Sequence, residues 1–497
     1  MTASAARERR LEVLLFAVGC ALAACTIRSG VGHHDEGLML AWAERTAGGQ
    51  WPYRDFWMNY PPGQALVGAG LVKLFGPSLL WWRVVRVAVG ALAAVLAFRL
   101  VRRADPARVP GALLTWAAVA GALAWPLTPG PGASALTLAF GALLLGRSNL
   151  TAGAVVAGLA GLFRLEVGAA AALGLILLAP EPRAMGRVAA ISAGTTLAGM
   201  AAFLTVAPSA VLDQMIGFVH IAALQRTAVP LDPSGVGLDP NKLLELWFPA
   251  FLLASAAVAL IWVVTSRTLR RDAVLVPLVV IGVAYLLSRP DEFHLVPLAP
   301  AVAAAAGVAA ATARPRLARA SLLVIVGVIA LHGWERQSGL LLHQPPEARV
   351  PARAGDGVLM PRAEARALQR LIPRVQALTP HGEPVLVAPP RYDRVRVGDP
   401  LLGVLLERPN PSRYDVIQPG LVTTAPVQRE IAHDLRRTRT PVVVRWLGAA
   451  ARRVEHNGSG RASGIRLLDR VIALDYVRLA RYGDWVVLVR RRPATSE

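Results

Sequence analysis

Apolar residues in this chain come mostly in unbroken stretches rather than in alternation. Between residues 11 and 335, runs of Ala, Leu, Val and Gly recur. Each is near the roughly 20 residues with which a helix covers the hydrocarbon core of a bilayer. The stretches 11–27, 82–101, 110–126, 132–146, 150–163, 167–180, 187–207, 245–265, 273–288, 295–311 and 318–334 predict about eleven membrane helices. A further stretch, 64–75, is too short to span. It predicts an interfacial or re-entrant helix, with Trp51, Trp57, Trp81 and Trp82 as anchors at the membrane surface. Just upstream, Glu36, Leu40 and Ala43 share one helical period, so a short surface helix is expected over 36–47 with Asp35 at its N-cap.

Beyond residue 335 the pattern becomes that of a water-soluble chain. Residues 361–378 put Leu368, Leu371 and Val375 on one helical face. Val385-Leu386-Val387 and 441–444 read as buried strands, 427–437 as a helix, and 486–489 as a closing strand. The expected fold class is a polytopic α-helical membrane protein: a transmembrane domain over 1–335, with a long first loop at 28–81, and a soluble α/β domain over 336–497.

Charge orients these elements. The 53 basic residues against 32 acidic ones give a net charge of +21, and only Lys73 and Lys242 among the basic residues are lysine. Arg7, Arg9 and Arg10, then Arg102, Arg103 and Arg108, Arg147, Arg183 and Arg187, Arg267, Arg270 and Arg271, and Arg314, Arg316 and Arg319 occupy alternate turns. The positive-inside rule puts those turns in the cytoplasm and leaves 28–81, 127–131, 164–166, 208–244, 289–294 and the soluble domain outside. The arginine excess therefore serves topology, and with no basic stripe or reader motif nucleic acid is not expected as a partner. Cys20 and Cys25 both lie in the first apolar run, which excludes a disulfide or zinc framework.

The outer turns hold the ionisable residues that need a reason to be at a membrane. Asp35 and Glu36 open the first loop, preceded by His33 and His34. Arg54 and Asp55 follow 19 residues after. Arg164 and Glu166 interrupt two apolar runs. Arg289, Asp291, Glu292 and His294 separate two more. Together they predict a polar cleft beneath the soluble domain. Arginine forks suit a phosphate, and a carboxylate can take the proton of an attacking hydroxyl. Nucleotide sugars and ATP are not supplied outside the membrane, so an activated donor would arrive on a lipid. Blander roles compete: Asp35 as a helix cap, Arg54–Asp55 and Arg164–Glu166 as structural ion pairs, and the histidines as solvated loop residues. His34 with Asp35 could also bind a divalent metal such as Mg or Mn, the one cofactor the pattern suggests.

Particular motifs add a resemblance. His34-Asp35-Glu36-Gly37, residues 49–56 (GQWPYRDF), Tyr60-Pro61-Pro62-Gly63, Phe75-Gly76-Pro77-Ser78 and Arg83 resemble the N-terminal region of the GT-C glycosyltransferase superfamily. The likeness is to the protein mannosyltransferase and aminoarabinose transferase group, and to bacterial transferases that modify lipopolysaccharide cores. Residues 163–168 and 289–294 are similar to loop motifs of these enzymes, and 408–415 (RPNPSRYD) to their soluble domains. The resemblance implies a polyprenyl-phosphate-linked sugar donor, inversion at the anomeric carbon, and a catalytic or metal-proximal acid at Asp35 with Glu36 beside it. Aminoarabinose transferases carry a lysine before the Pro-Pro pair where this chain has Tyr60, which shifts the phosphate-binding role to Arg54, Arg83, Arg164 and Arg289. Asp35 is then the expected base, Asp55 the alternative one, Arg289 and His294 the grip on the leaving phosphate, with Asp291 orienting them and Arg164 assisting.

The expected protein is thus a glycosyltransferase of the bacterial cytoplasmic (inner) membrane, acting on a cell-envelope acceptor in contact with membrane lipid, its C-terminal domain extracytoplasmic. Two rivals make other predictions. A transporter or lipid flippase would more often show an internal repeat of spans, which is not visible here. A non-catalytic scaffold would tolerate loss of Asp35.

Overall fold

A computed structural model of the chain describes residues 3–125, 130–226, 240–265, 273–288, 294–342, 347–455 and 457–491. Each apolar stretch is a helix. In chain order they are α1 (Ala3–Ala24), α2 (Asp35–Ala47), α3 (Gly63–Phe75), α4 (Leu79–Ala104), α5 (Val109–Leu123), α6 (Gly132–Gly146), α7 (Leu150–Gly161), α8 (Leu165–Leu178), α9 (Pro182–Val206), α10 (Pro208–Met215), α11 (Phe218–Leu224), α12 (Pro240–Thr265), α13 (Val276–Ser288), α14 (Leu295–Thr312) and α15 (Arg316–Leu342). By length and composition, α4, α9, α14 and α15 are long and apolar enough to cross a bilayer, and shorter apolar helices stand between them.

Polar residues set the ends of these helices. The Ser78 hydroxyl accepts the Trp81 N–H at the start of α4, and the Asn149 side chain accepts the Ala152 N–H at the start of α7. Small residues let the helices touch. The Ser192 hydroxyl of α9 donates to the Ala154 carbonyl of α7, and the Thr196 hydroxyl to the Gly158 carbonyl. A side chain at Gly158 would collide with Ser192 and Thr195, so backbone contact of this kind needs glycine. The alanine-rich α14 is the central helix, buried from Leu295 to Ala311.

The soluble part contains a short antiparallel pair, β1 (Glu347–Arg349) and β2 (Leu359–Pro361), then α16 (Arg362–Leu378), β3 (Val385–Ala388), α17 (Pro400–Leu406), α18 (Ala425–Arg437), β4 (Val442–Trp446), α19 (Ala449–Arg452), α20 (Leu467–Asp475), β5 (Tyr476–Tyr482) and β6 (Trp485–Arg490). Its main sheet has the order β3-β4-β6-β5. β3 and β4 run parallel, with Val385 opposite Val442; β6 is antiparallel to both β4 and β5. The apolar faces expected on 361–378 and 427–437 pack inward through Leu368, Leu371 and Val375 and through Ile431 and Leu435. Sequence reading missed β5. Its Val477 and Leu479 are exposed, as are Arg478 and Arg481, so the strand lacks the apolar-inward alternation that marks a sheet member.

The first loop and the soluble domain share their cores. Leu38, Met39, Trp42, Phe56 and Met58 cluster with Tyr392, Tyr414 and Val416, while Leu40 and Leu79 cluster with Leu368, Leu401 and Val442. Gly37 makes this possible, because a Cβ there would lie 2.5 Å from the Leu401 nitrogen. Helix α2 is therefore sandwiched, with every residue from Glu36 to Ala43 buried.

Candidate active site

Two adjacent acids at the start of α2 have opposite surroundings. Glu36 is 1% exposed and meets Arg83 of α4 in a two-pronged pair, Nε to Oε1 and Nη2 to Oε2, each 2.7 Å. Arg83 also donates to the carbonyls of Ile27, Ser29 and Gly30, and Glu36 accepts the Gly32 N–H. This network fixes the loop that leads into α2. It leaves neither side chain free for substrate, although both look like site residues in the sequence. Asp35 is different. It is the first residue of α2 and not its cap, since His34 takes the cap position without a side-chain bond. Asp35 is half-buried, and among the described residues its carboxylate makes no hydrogen bond or ion pair.

Asp35 acts electrostatically on Tyr60, and Tyr60 belongs to a cluster of aromatic rings around Arg164. The Gly63 N–H donates to the Leu162 carbonyl at 2.8 Å, tying the end of the first loop to the turn between α7 and α8. That tie brings Tyr60 to Arg164. The Arg164 guanidinium lies 5.4 Å from the Tyr60 ring and 4.5 Å from the Tyr285 ring. Its Nε donates to Glu166 at 2.6 Å and its Nη1 to the Tyr285 hydroxyl at 3.3 Å. Burial, with Tyr285 next, pushes the Tyr60 hydroxyl's pKa up; the Asp35 and Glu166 carboxylates add to that and Arg164 opposes it. His294, at the start of α14, stacks on Tyr285 at 4.4 Å. Trp42 meets Tyr60 edge-on at 6.2 Å.

The cluster therefore gathers Tyr60, Arg164, Glu166 and His294 from three separate sequence segments, with Asp35 acting on it through Tyr60. Arg289 and Asp291, also expected there, lie outside the described residues. Tyr285 was missed by sequence reading; the only signal for it is one aromatic hydroxyl in the last turn of an otherwise apolar run.

Arg54 and Asp55 take no part. They form an exposed pair, with Arg54 donating from Nε and Nη2 at 2.8 Å each and the Trp51 N–H adding a third bond to Asp55. The Arg54 guanidinium holds the Asp55 carboxyl below the usual range, which makes it a weak base. The two histidines are not solvated loop residues. The His33 ring bridges Asp399, at 3.1 Å, and Glu364, at 2.5 Å. Burial alone would favour the neutral ring, but those carboxylates outweigh it and push its pKa up to about 10. His34 Nδ1 accepts the Gly398 N–H at 3.3 Å. With His34 and Glu36 engaged in this way, no group of three or more His, Cys, Asp or Glu among the described residues could hold a metal.

Comparison with known proteins bears on the fold. No protein-family model matches the chain, and no curated protein sequence matches it. Among solved structures, the chain superposes on the crystal structure of ArnT from Cupriavidus metallidurans bound to undecaprenyl phosphate, with TM-score 0.56 and 18% identity over 96% of this chain and 97% of that one. The apo form of the same protein gives TM-score 0.58 and 16% identity over the same shares. The chain has the ArnT fold. ArnT is an aminoarabinose transferase of the GT-C superfamily, so the resemblance carried by the first-loop motifs holds at the level of fold along nearly the whole chain. The departure from aminoarabinose transferases at Tyr60 also has a structural counterpart: the ring in place of a lysine is the one that Arg164 covers.

Proposed function

We propose that the protein transfers a sugar from a polyprenyl-phosphate-linked donor to a hydroxyl of a cell-envelope acceptor, at the extracytoplasmic face of a bacterial inner membrane, with inversion. The observation that carries this reading is Asp35. It is a carboxylate without a hydrogen-bond or ion-pair partner among the described residues, and it acts electrostatically on Tyr60, one of the two tyrosine rings that flank the buried Arg164, in a chain with the ArnT fold. An unpaired, half-buried acid is costly unless something it meets during turnover needs it. The ArnT crystal structure bound to undecaprenyl phosphate supports the donor class.

The reaction follows from these groups. Asp35 takes the proton of the acceptor hydroxyl. The acceptor oxygen forms a bond to the anomeric carbon from the face opposite the phosphate, while the bond from that carbon to the phosphate oxygen breaks. The polyprenyl phosphate leaves with the electron pair, and Arg164 stabilises the charge that develops on it. A single displacement of this kind inverts the anomeric centre. Tyr60 and Tyr285 keep the guanidinium desolvated and fixed in orientation, Glu166 anchors its far edge, and His294 closes the side next to Tyr285.

The test is turnover by purified, lipid-reconstituted protein supplied with polyprenyl-phosphate sugars. Sugar release from the lipid that requires both an acceptor and Asp35 supports the reading. An Asp35→Asn protein as active as the wild type would instead favour the scaffold.

A further inference from the structure

The soluble domain holds a second concentration of positive charge, away from Arg164. The segment 390–396 follows β3 and the segment 449–460 follows β4, so both leave the carboxyl ends of the one parallel strand pair in the sheet. Between them lies a cavity of about 240 Å³ whose lining includes Arg391, Arg394, Arg396, Arg452 and Arg453. Open α/β sheets bind ligands outside the carboxyl ends of their strands. This cavity is smaller than the roughly 300–1,000 Å³ that encloses a whole small molecule, so its size suits one charged group.

The arginines divide into two sets. Arg391 pairs with the buried Asp393, and Arg396 donates to Glu455 at 2.9 Å. Glu455 also accepts from Ser459 and Asn457, so the acid in the wall is satisfied. Arg394, Arg452 and Arg453 make no side-chain hydrogen bond or ion pair among the described residues. Three like charges around one cavity repel one another, and an anion relieves that repulsion. The walls are held firmly: Arg445 of β4 grips the Pro390 carbonyl and Asp469, and Asp469 accepts the Tyr392 N–H.

The neighbours of the cavity select the ligand's source. The Asn457 side chain donates to the Gln225 carbonyl at 3.0 Å, and Gly458 lies against Leu224. Its wall therefore rests on the end of α11, which follows α10 from the end of α9, a stretch that exposes Leu212, Ile216 and Val219. Exposed apolar residues on short helices at the end of a span lie in the membrane interface, and phosphate head groups lie at that level.

We infer that this arginine cavity binds the phosphate group of a membrane-borne acceptor. The inference rests on the transferase reading for the word acceptor, while the anion site itself does not. The test uses the full chain in neutral detergent. Dihexanoyl phosphatidic acid, dihexanoyl phosphatidylcholine and inorganic phosphate are titrated against the wild type, the single variant Arg452→Gln, and the triple variant Arg394→Gln/Arg452→Gln/Arg453→Gln. Undecaprenyl phosphate binding is followed in parallel. Phosphatidic acid should bind at least about tenfold more tightly than phosphatidylcholine or inorganic phosphate. The single variant, at an exposed position that folding does not depend on, should weaken it several-fold and the triple variant at least about tenfold, with undecaprenyl phosphate unaffected. Equal binding of phosphatidic acid by wild type and triple variant overturns the site. Binding of inorganic phosphate as tight as that of phosphatidic acid overturns the lipid source. Loss of undecaprenyl phosphate binding in the triple variant overturns the separation of the two sites. Intact phosphatidic acid binding without any polyprenyl-phosphate-sugar turnover supports the anion site and refutes the transferase reading instead.

Discussion

Asp35 and Glu36 are neighbours in sequence and equal in composition, yet their substitutions should be read by different instruments. Asp35→Asn removes the proton acceptor and no bond to a described residue, so turnover should fall by about 10²-fold or more while the unfolding temperature stays unchanged. Glu36→Gln leaves the Arg83 charge buried without its partner. Breaking a buried pair in this way costs about 3–5 kcal/mol, so this variant should show a clearly lower unfolding temperature and a poor yield of folded protein. Arg164→Lys keeps a charge but loses the planar fork that lies between the Tyr60 and Tyr285 rings and reaches Glu166. Its donor KM should rise and its kcat fall, whereas acceptor KM should hardly move; unchanged donor kinetics would take Arg164 out of the site. The difference between the two acids was not legible in sequence. Both stand at the start of one helix, and only the return of α4 places Arg83 opposite Glu36, while no described residue pairs with Asp35.

At the scale of elements, sequence reading went far for helices and less far for the sheet. Every apolar stretch became a helix, because a run of Ala, Leu and Val in lipid has no other way to satisfy its backbone. Strand β5 and the Tyr285 contribution stayed hidden, the first because its apolar residues face outward, the second because a tyrosine in an apolar run has no periodic signature. The junction of the first loop with the soluble domain was hidden as well. Its centre is His33 between Asp399 and Glu364, tilted against Trp446 at 5.2 Å. The folded pKa of about 10 exceeds the ordinary 6.5, so this clamp contributes fully below about pH 6.5. Its contribution declines as pH rises from there and is gone above about pH 10. Limited proteolysis of the junction should accelerate across that window in the wild type. In His33→Gln it should be faster at neutral pH and flatter with pH. Matching pH profiles for the two proteins would mean that the ring is not charged.

At the scale of the whole molecule, one end of the helical bundle, the first loop and the soluble domain share packed cores, with the Asp35–Arg164 cluster at the end of the helices. Such a placement suits a reaction between a donor held in lipid and an acceptor that arrives at the membrane surface. The alternation of arginine-rich turns in the sequence predicts that this face lies outside the cytoplasm. A single cysteine placed at position 430, in a chain lacking Cys20 and Cys25, should react with an impermeant thiol reagent from the outside of the inner membrane; reaction only after that membrane is lysed would reverse the sidedness. The central claim, transfer from a polyprenyl-phosphate sugar through Asp35, is tested most directly by mass spectrometry of lipids from a strain deleted for the protein. The account predicts that a polyprenyl-phosphate-linked sugar accumulates, that the wild-type chain returns it to the parental level, and that Asp35→Asn, expressed to the same level, does not. No accumulation on deletion, or full restoration by Asp35→Asn, would contradict it.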